Sequence, residues 1–137
     1  MPRQPTTLAK LTRPKLFRVV ARDRLYRRLD QERQSHPVVW IAGAPGSGKT
    51  ALAASYIETR KLSNIWYQVD GDDADPATFF HYLTIAGQAA AGEKKRQRLP
   101  IFTPEYALDL PGFTRRYFRE LFAGLPTTTT LVLDNYQ

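Results

Sequence analysis

Residues 38–50, VVWIAGAPGSGKT, contain the pattern on which the expected fold of this chain rests. The first five residues are apolar and rich in β-branched side chains, and they stand between Pro37 and Gly43. Such a run is typical of a strand that is buried on both faces of a parallel sheet. A glycine-rich turn follows, and residues 49–60 then carry apolar side chains at helical spacing. The order of strand, turn and helix predicts one unit of an α/β fold.

The turn matches the pattern G-x-x-x-x-G-K-[ST] in full. Glycines let backbone N–H groups converge on a phosphate, and the following helix adds the positive end of its dipole. We expect Lys49 to contact the β- and γ-phosphates and the Thr50 hydroxyl to bind Mg²⁺. A chance match or a degenerate site is the alternative, but the position between strand and helix favours function. The predicted nucleotide-binding residues of the motif are Gly43, Ala44, Pro45, Gly46, Ser47, Gly48, Lys49 and Thr50.

A second apolar and β-branched segment, residues 127–133, ends in Asp134. A carboxylate at such a strand end can hold Mg²⁺ through water, so Thr50 and Asp134 are the predicted metal ligands. Asn135 follows, where many hydrolysing proteins with this pair of motifs have a second carboxylate. Its amide can orient water but cannot accept a proton at neutral pH. Lys49, Asp134 and Asn135 are therefore the predicted catalytic residues of a slow ATPase at most.

The remaining patterns predict an α/β fold of the P-loop NTPase type. Connections between the strands are too long for hairpins, so we expect parallel strands with helices on both faces. Asp75 is the expected N-cap of a helix that has Pro76 as its first residue. The predicted helices span 21–33, 49–60, 76–87 and 113–123, and the three predicted strands span 38–42, 64–70 and 127–133.

The basic charge is concentrated near the N-terminus. Residues 1–34 hold ten of the 20 Lys and Arg residues and three of the 13 acids, which accounts for the whole net charge of +7. This region could bind nucleic acid, or it could be the solvated face of a helix that packs elsewhere. The second interpretation is favoured because no base-reading motif accompanies the charge. We therefore divide the chain into a basic arm and helix, 1–34, and the N-terminal half of a P-loop domain, 35–137.

Composition excludes several other classes of protein. The 137 residues have 42% hydrophobic content, which suits one small globular domain, and no apolar run is long enough for a membrane span or signal peptide. The sequence has no cysteine and only two histidines, His36 and His81, so a zinc site is not expected. The absence of cysteine also predicts a cytoplasmic location.

The acidic turn 70–75 lacks the order of a calcium loop and predicts helix capping instead. Residues 92–100 predict an exposed basic loop.

Several of these segments together resemble the N-terminus of MalT-like STAND ATPases, the signal-transduction ATPases. The resemblance covers nearly the whole chain. Its glycine-rich loop is shared by all P-loop proteins, whereas the arm and the Asp-Asp-x-Asp-Pro turn are more diagnostic. The matching segments are the arm 10–16, Val20-Ala21-Arg22, the loop 43–50, the strand 66–70 with its acidic turn, and residues 131–137.

The resemblance implies an ATP/ADP-dependent switch within a LuxR/MalT-type transcriptional regulator. ADP would hold a closed monomer, and an inducer with ATP would favour an open, self-associating form. DNA would be bound only by a C-terminal domain that this sequence lacks. The resemblance also implies that the segment before the first helix binds adenine, which places Val19, Val20 and Arg22 near the base.

Two departures from the family pattern affect these expectations. Asn135 and Gln137 replace residues of the Asp-Asp-Tyr-His ending that is frequent in the family, which again suggests slow hydrolysis. The sequence also ends three residues after Asp134, so we expect a piece of a larger regulator, with an exposed sheet edge and marginal stability. The alternatives are a P-loop enzyme with continuous ATP turnover and a fragment that binds nucleic acid through the basic arm.

Overall fold

A computed structural model describes residues 8–92 and 98–136, and it has an α/β architecture. The expectations for residues 1–7, for residues 93–97 of the basic loop and for Gln137 lie outside the described residues. Among the described residues, no helix is long and apolar enough to cross a membrane. The helices are α1 (Asp23–Ser35), α2 (Lys49–Thr59), α3 (Pro76–Ala91) and α4 (Leu110–Ala123), and the strands are β1 (Asn64–Gln68) and β2 (Thr130–Asp134).

The chain divides into two compact units. Residues Pro14–Lys61 form one unit, here called the helical unit, which contains α1 and α2. The described residues of 1–13 and 62–137 form the other, here called the sheet unit, which contains β1, β2, α3 and α4. The division that the charge distribution suggests, after residue 34, stays a prediction.

The two strands pair in parallel, as predicted. Their register runs from Asn64 opposite Thr130 to Gln68 opposite Asp134. Three successive residues of β1, Ile65, Trp66 and Tyr67, are buried, so side chains on both faces of this strand are covered. Burial on both faces is the usual condition of a strand in a parallel sheet.

The strand predicted at residues 38–42 is wrong. These residues form no regular element, and Val38 and Trp40 are 76% and 66% exposed. A strand persists only where a second backbone pairs with its N–H and C=O groups. The regular elements described in the helical unit are α1 and α2, and a helix pairs its N–H and C=O groups within itself rather than with a strand. The sheet of the described residues therefore has two strands rather than three.

Helices α3 and α4 differ from their predicted bounds for reasons of packing and capping. Gly87 does not end α3, which continues to Ala91, and Gly87 instead lies against α4: a Cβ there would come within 2.5 Å of a methyl carbon of Leu121. Helix α4 starts earlier than predicted, since the Asp109 carboxylate accepts the N–H of Gly112 at 3.0 Å. Asp75 caps α3 as predicted and accepts the N–H of Thr78 at 3.2 Å.

An aromatic cluster forms the core of the sheet unit. Phe80 of α3 lies at its centre, and its ring centroid is 4.7 Å from that of Tyr117 and 4.8 Å from that of Phe113. The Tyr117 hydroxyl and the Thr84 hydroxyl hydrogen-bond at 2.6 Å, and burial raises the pKa of Tyr117 to about 12. These contacts hold α3 and α4 together on the sheet unit's core.

Lys10 fastens the N-terminal arm to the end of β1. Its ammonium lies 2.9 Å from Asp70 and 3.2 Å from Asp73, and it lies over the rings of Tyr67 and Tyr82 at 5.1 and 4.8 Å. Tyr67 also donates its hydroxyl proton to Asp73. Burial alone would raise the pKa of Asp73, but the hydrogen bonds from Tyr67, from the backbone and from Lys10 hold it below its ordinary value.

The acidic turn is a capping structure, as predicted. Asp70 accepts the N–H of Asp72 at 3.0 Å, and Asp73 accepts the N–H of Asp70 at 2.8 Å. Over residues 8–92 and 98–136, no group of His, Asp or Glu is arranged to hold a metal ion. The carboxylates of this turn therefore serve the backbone and Lys10.

We expect Lys10→Met to lower the free energy of unfolding at pH 7 by about 1.5–3 kcal/mol, because it removes hydrogen bonds between charged groups from a nearly buried Asp73. Since the pKa of Asp73 is depressed in the folded state, its contribution is complete above about pH 4 and is lost as the pH falls through the folded pKa. Urea unfolding at pH 7 and pH 3 measures both effects. The difference from the parent should shrink at pH 3, and the exposed control Lys15→Met should change stability by less than about 0.5 kcal/mol.

Candidate functional site

The glycine-rich loop is an open turn that leads into α2. The N–H of Ser47 donates to the carbonyl of Ala44 at 3.1 Å, and residues 43–47 are exposed. Gly46 and Gly48 have φ values of 77° and 84°, a left-handed conformation that strains residues with a Cβ. Gly48 occupies the N-cap position of α2, where it has no side chain to cover the first N–H groups of the helix. The loop therefore presents the kind of helix N-terminus that binds anions.

Lys49 places its charge against the start of this loop. Its ammonium donates to the carbonyl of Gly43 at 2.7 Å and to that of Ala44 at 3.1 Å. Space here is tight, because a Cβ at Gly43 would come within 2.7 Å of the Ser47 hydroxyl oxygen. The predicted phosphate-binding lysine is thus held within the loop that the motif defines.

A cleft of about 640 Å³ lies beside the loop within the helical unit. Its lining is apolar along Leu25 and Leu29 of α1 and along residues 38–42, and polar at Arg22, Ser47 and Lys49. Volumes of 300–1,000 Å³ with an apolar wall and a few polar groups are usual for small-molecule sites. The cleft thus combines room for a ligand of nucleotide size with cations beside the loop.

Of the three residues expected near adenine, one lines the cleft and two do not. Arg22 lines the cleft, and its guanidinium lies against Gly48: a Cβ there would come within 2.8 Å of Nη2. Val19 and Val20 do not line the cleft, and Val20 is 80% exposed. Of the three residues, the structure brings only Arg22 to the loop.

Asp134 and Asn135 lie at the carboxyl end of β2 in the sheet unit. The backbone carbonyl of Asp134 accepts the N–H of Val69 at 2.8 Å, and its carboxylate accepts the N–H of Asn135 at 3.0 Å. Asn135 has a φ of 60°, and its side-chain amide donates to the carbonyl of Val69 at 3.2 Å. Asn135 therefore joins the ends of the two strands and orients the carboxylate of Asp134.

This role of Asn135 is one that sequence reasoning missed. The available signal in the sequence was the residue type, because asparagine is among the few residues other than glycine that adopt the left-handed conformation readily.

The predicted metal ligands Thr50 and Asp134 belong to the helical and sheet units respectively, and their joint role stays a prediction. His81 is an exposed residue of α3 whose ring meets that of Tyr82, so it is a surface histidine.

We expect Asn135→Asp to lower the free energy of unfolding by about 0.5–1.5 kcal/mol, because an aspartate cannot donate to the carbonyl of Val69 and its charge is repelled by that oxygen. Urea unfolding measures the effect. Asn135→Gly is the matched control, because it keeps the left-handed backbone without the side chain. Unchanged stability of Asn135→Asp would contradict the structural role of the side-chain amide.

Comparison with known proteins identifies one family. The profile described as nephrocystin 3, N-terminal, matches residues 17–92, a range that includes α1, the glycine-rich loop, α2, β1 and α3. No curated protein and no solved structure matches the chain significantly. Because the matched range covers more than half of its 137 residues, the chain belongs to the nephrocystin 3 N-terminal family.

Proposed function

We propose that this chain is an ATP/ADP-binding switch module of a signal-transducing NTPase of the MalT-like STAND type. The observation that carries the proposal is the loop 43–50, which matches the phosphate-binding pattern in full and opens helix α2 with two left-handed glycines. Lys49 lies against this loop, and the cleft beside it has the size of a ligand site.

Each residue of the site has a role in this proposal. Backbone N–H groups of the loop hold the phosphate oxygens, and the Lys49 ammonium exchanges its carbonyl partners for the β- and γ-phosphates. Thr50 and Asp134, the expected Mg²⁺ ligands, each offer an oxygen of the kind that this ion prefers. When bound, Mg²⁺ would neutralise charge on the phosphates.

Two segments that carry the resemblance contact each other, which supports the finer assignment. Lys10 belongs to the arm, and its partners Asp70 and Asp73 belong to the Asp-Asp-x-Asp-Pro turn. These are the segments that P-loop proteins in general do not share. A transcriptional regulator that self-associates in its ATP state, with DNA bound by a separate C-terminal domain, follows from that resemblance.

A switch is favoured over an enzyme with continuous turnover because of the end of β2. The side-chain amide of Asn135 is bound to the carbonyl of Val69, and no second carboxylate follows Asp134. Without a base to accept a proton from water, hydrolysis should be slow, and a switch must persist in one state.

We expect the purified protein to bind ADP and MgATP, and Lys49→Ala to weaken both by at least tenfold, since hydrogen bonds to charged groups contribute about 1.5–3 kcal/mol. Isothermal titration calorimetry measures the affinity, and chromatography of the denatured protein identifies any retained nucleotide. Lys15→Ala is the control, because Lys15 is an exposed lysine of the same unit. A folded parent that binds neither nucleotide would overturn the proposal.

We expect ATP turnover by the parent to stay below about one per minute, as persistence of a switch in one state requires. Phosphate release at saturating MgATP measures the rate. A steady rate well above this value, lost in Lys49→Ala, would favour the enzyme instead.

A further inference from the structure

Arg22 is held at a defined position beside the glycine-rich loop. Its backbone carbonyl accepts the N–H groups of Leu25 and Tyr26 at 2.9 and 3.0 Å, which ties it to the start of α1. The buried Tyr26 in turn donates its hydroxyl proton to Ser55 of α2 at 2.6 Å. The start of α1 is thereby tied to the same helix that the loop opens.

A second link within the helical unit holds α1 against α2. Asp30 accepts hydrogen bonds from the Arg60 guanidinium at 2.8 Å and from the Tyr56 hydroxyl at 2.6 Å. The hydrogen bonds from Arg60 and Tyr56 hold the pKa of Asp30 below its ordinary value, so the carboxylate is ionised at neutral pH. The position of Arg22 relative to the loop therefore rests on the packing of the two helices.

The guanidinium of Arg22 faces the end of the loop. The three atoms nearest to a Cβ placed on Gly48 are Nη2, Cζ and Nη1 of Arg22, at 2.8, 3.6 and 3.6 Å. Lys49 contacts the other end of the loop, through the carbonyls of Gly43 and Ala44. Two cations therefore lie against one short segment of backbone that is shaped to receive an anion.

The charges around the cleft are unbalanced. Its lining contains three cations, Arg22, Arg28 and Lys49, against one carboxylate, Glu32, which lies 3.3 Å from His36. A cleft with an excess of one charge attracts ligands of the opposite charge, and an anion between Arg22 and Lys49 would relieve their mutual repulsion.

We infer that Arg22 is a second cationic ligand of the nucleotide's terminal phosphates, and not part of an adenine subsite. This inference rests on the proposed function. The planar guanidinium offers paired N–H donors that match phosphate oxygens, and it lies at Gly48, within the loop that holds the phosphates. Val19 and Val20, the other residues expected near adenine, do not line the cleft.

The test compares Arg22→Ala with Arg24→Ala, an exposed arginine of α1 that does not line the cleft. Affinities for MgATP, ADP, adenosine and inorganic tripolyphosphate are measured by titration calorimetry, or by competition where binding is weak. Arg22→Ala should weaken MgATP, ADP and tripolyphosphate by at least tenfold and leave adenosine unchanged. Arg22→Lys should recover part of the loss, and Arg24→Ala should match the parent.

Each remaining outcome overturns a distinct claim. Equal weakening of adenosine and ADP by Arg22→Ala would place Arg22 at the base, and unchanged affinities would remove it from the site. Circular dichroism and thermal unfolding show whether the variants stay folded, and Arg22→Lys tests the charge in a variant of similar size. A folded parent that binds neither MgATP nor tripolyphosphate would overturn both the proposed function and this inference.

Discussion

Backbone pairing is the constraint on which the rest of this structure depends. Residues 64–68 and 130–134 satisfy their N–H and C=O groups in a parallel ladder, and the helices between them cover the sheet unit's core. Residues 38–42 have an equally apolar sequence, but the regular elements described in their unit are helices, and these residues form no strand. Side-chain composition selects possible strands, and the available partner decides which of them form.

The ladder also determines what the end of β2 can do. Because the strands are parallel, the carboxyl end of β2 lies beside that of β1, so that Asn135 reaches the carbonyl of Val69. The side-chain amide of Asn135, the residue after Asp134, is therefore used in a hydrogen bond between the strand ends. Asn135, whose position in the sequence suggests that it orients water, thus has a structural partner in the carbonyl of Val69.

The basic residues near the N-terminus serve several separate purposes. Lys10 forms ion pairs with Asp70 and Asp73 in the sheet unit, whereas Arg22 lies beside the glycine-rich loop in the helical unit. A net charge counted over residues 1–34 treats these side chains as one surface. Their contacts show that part of this charge is paired with acids and that part lies at the glycine-rich loop.

The sequence by itself determined the local features, namely the loop 43–50, the cap at Asp75 and the approximate bounds of the helices, because each depends on residues a few positions apart. It also indicated that the strands are parallel, since long connections exclude a hairpin. Only the tertiary structure decided that 38–42 forms no strand, that Gly87 packs against Leu121, that Arg22 lies at Gly48, and that Asn135 joins two strands. These outcomes depend on which distant backbone or side chain comes within contact distance, and periodicity and spacing along one chain do not specify that.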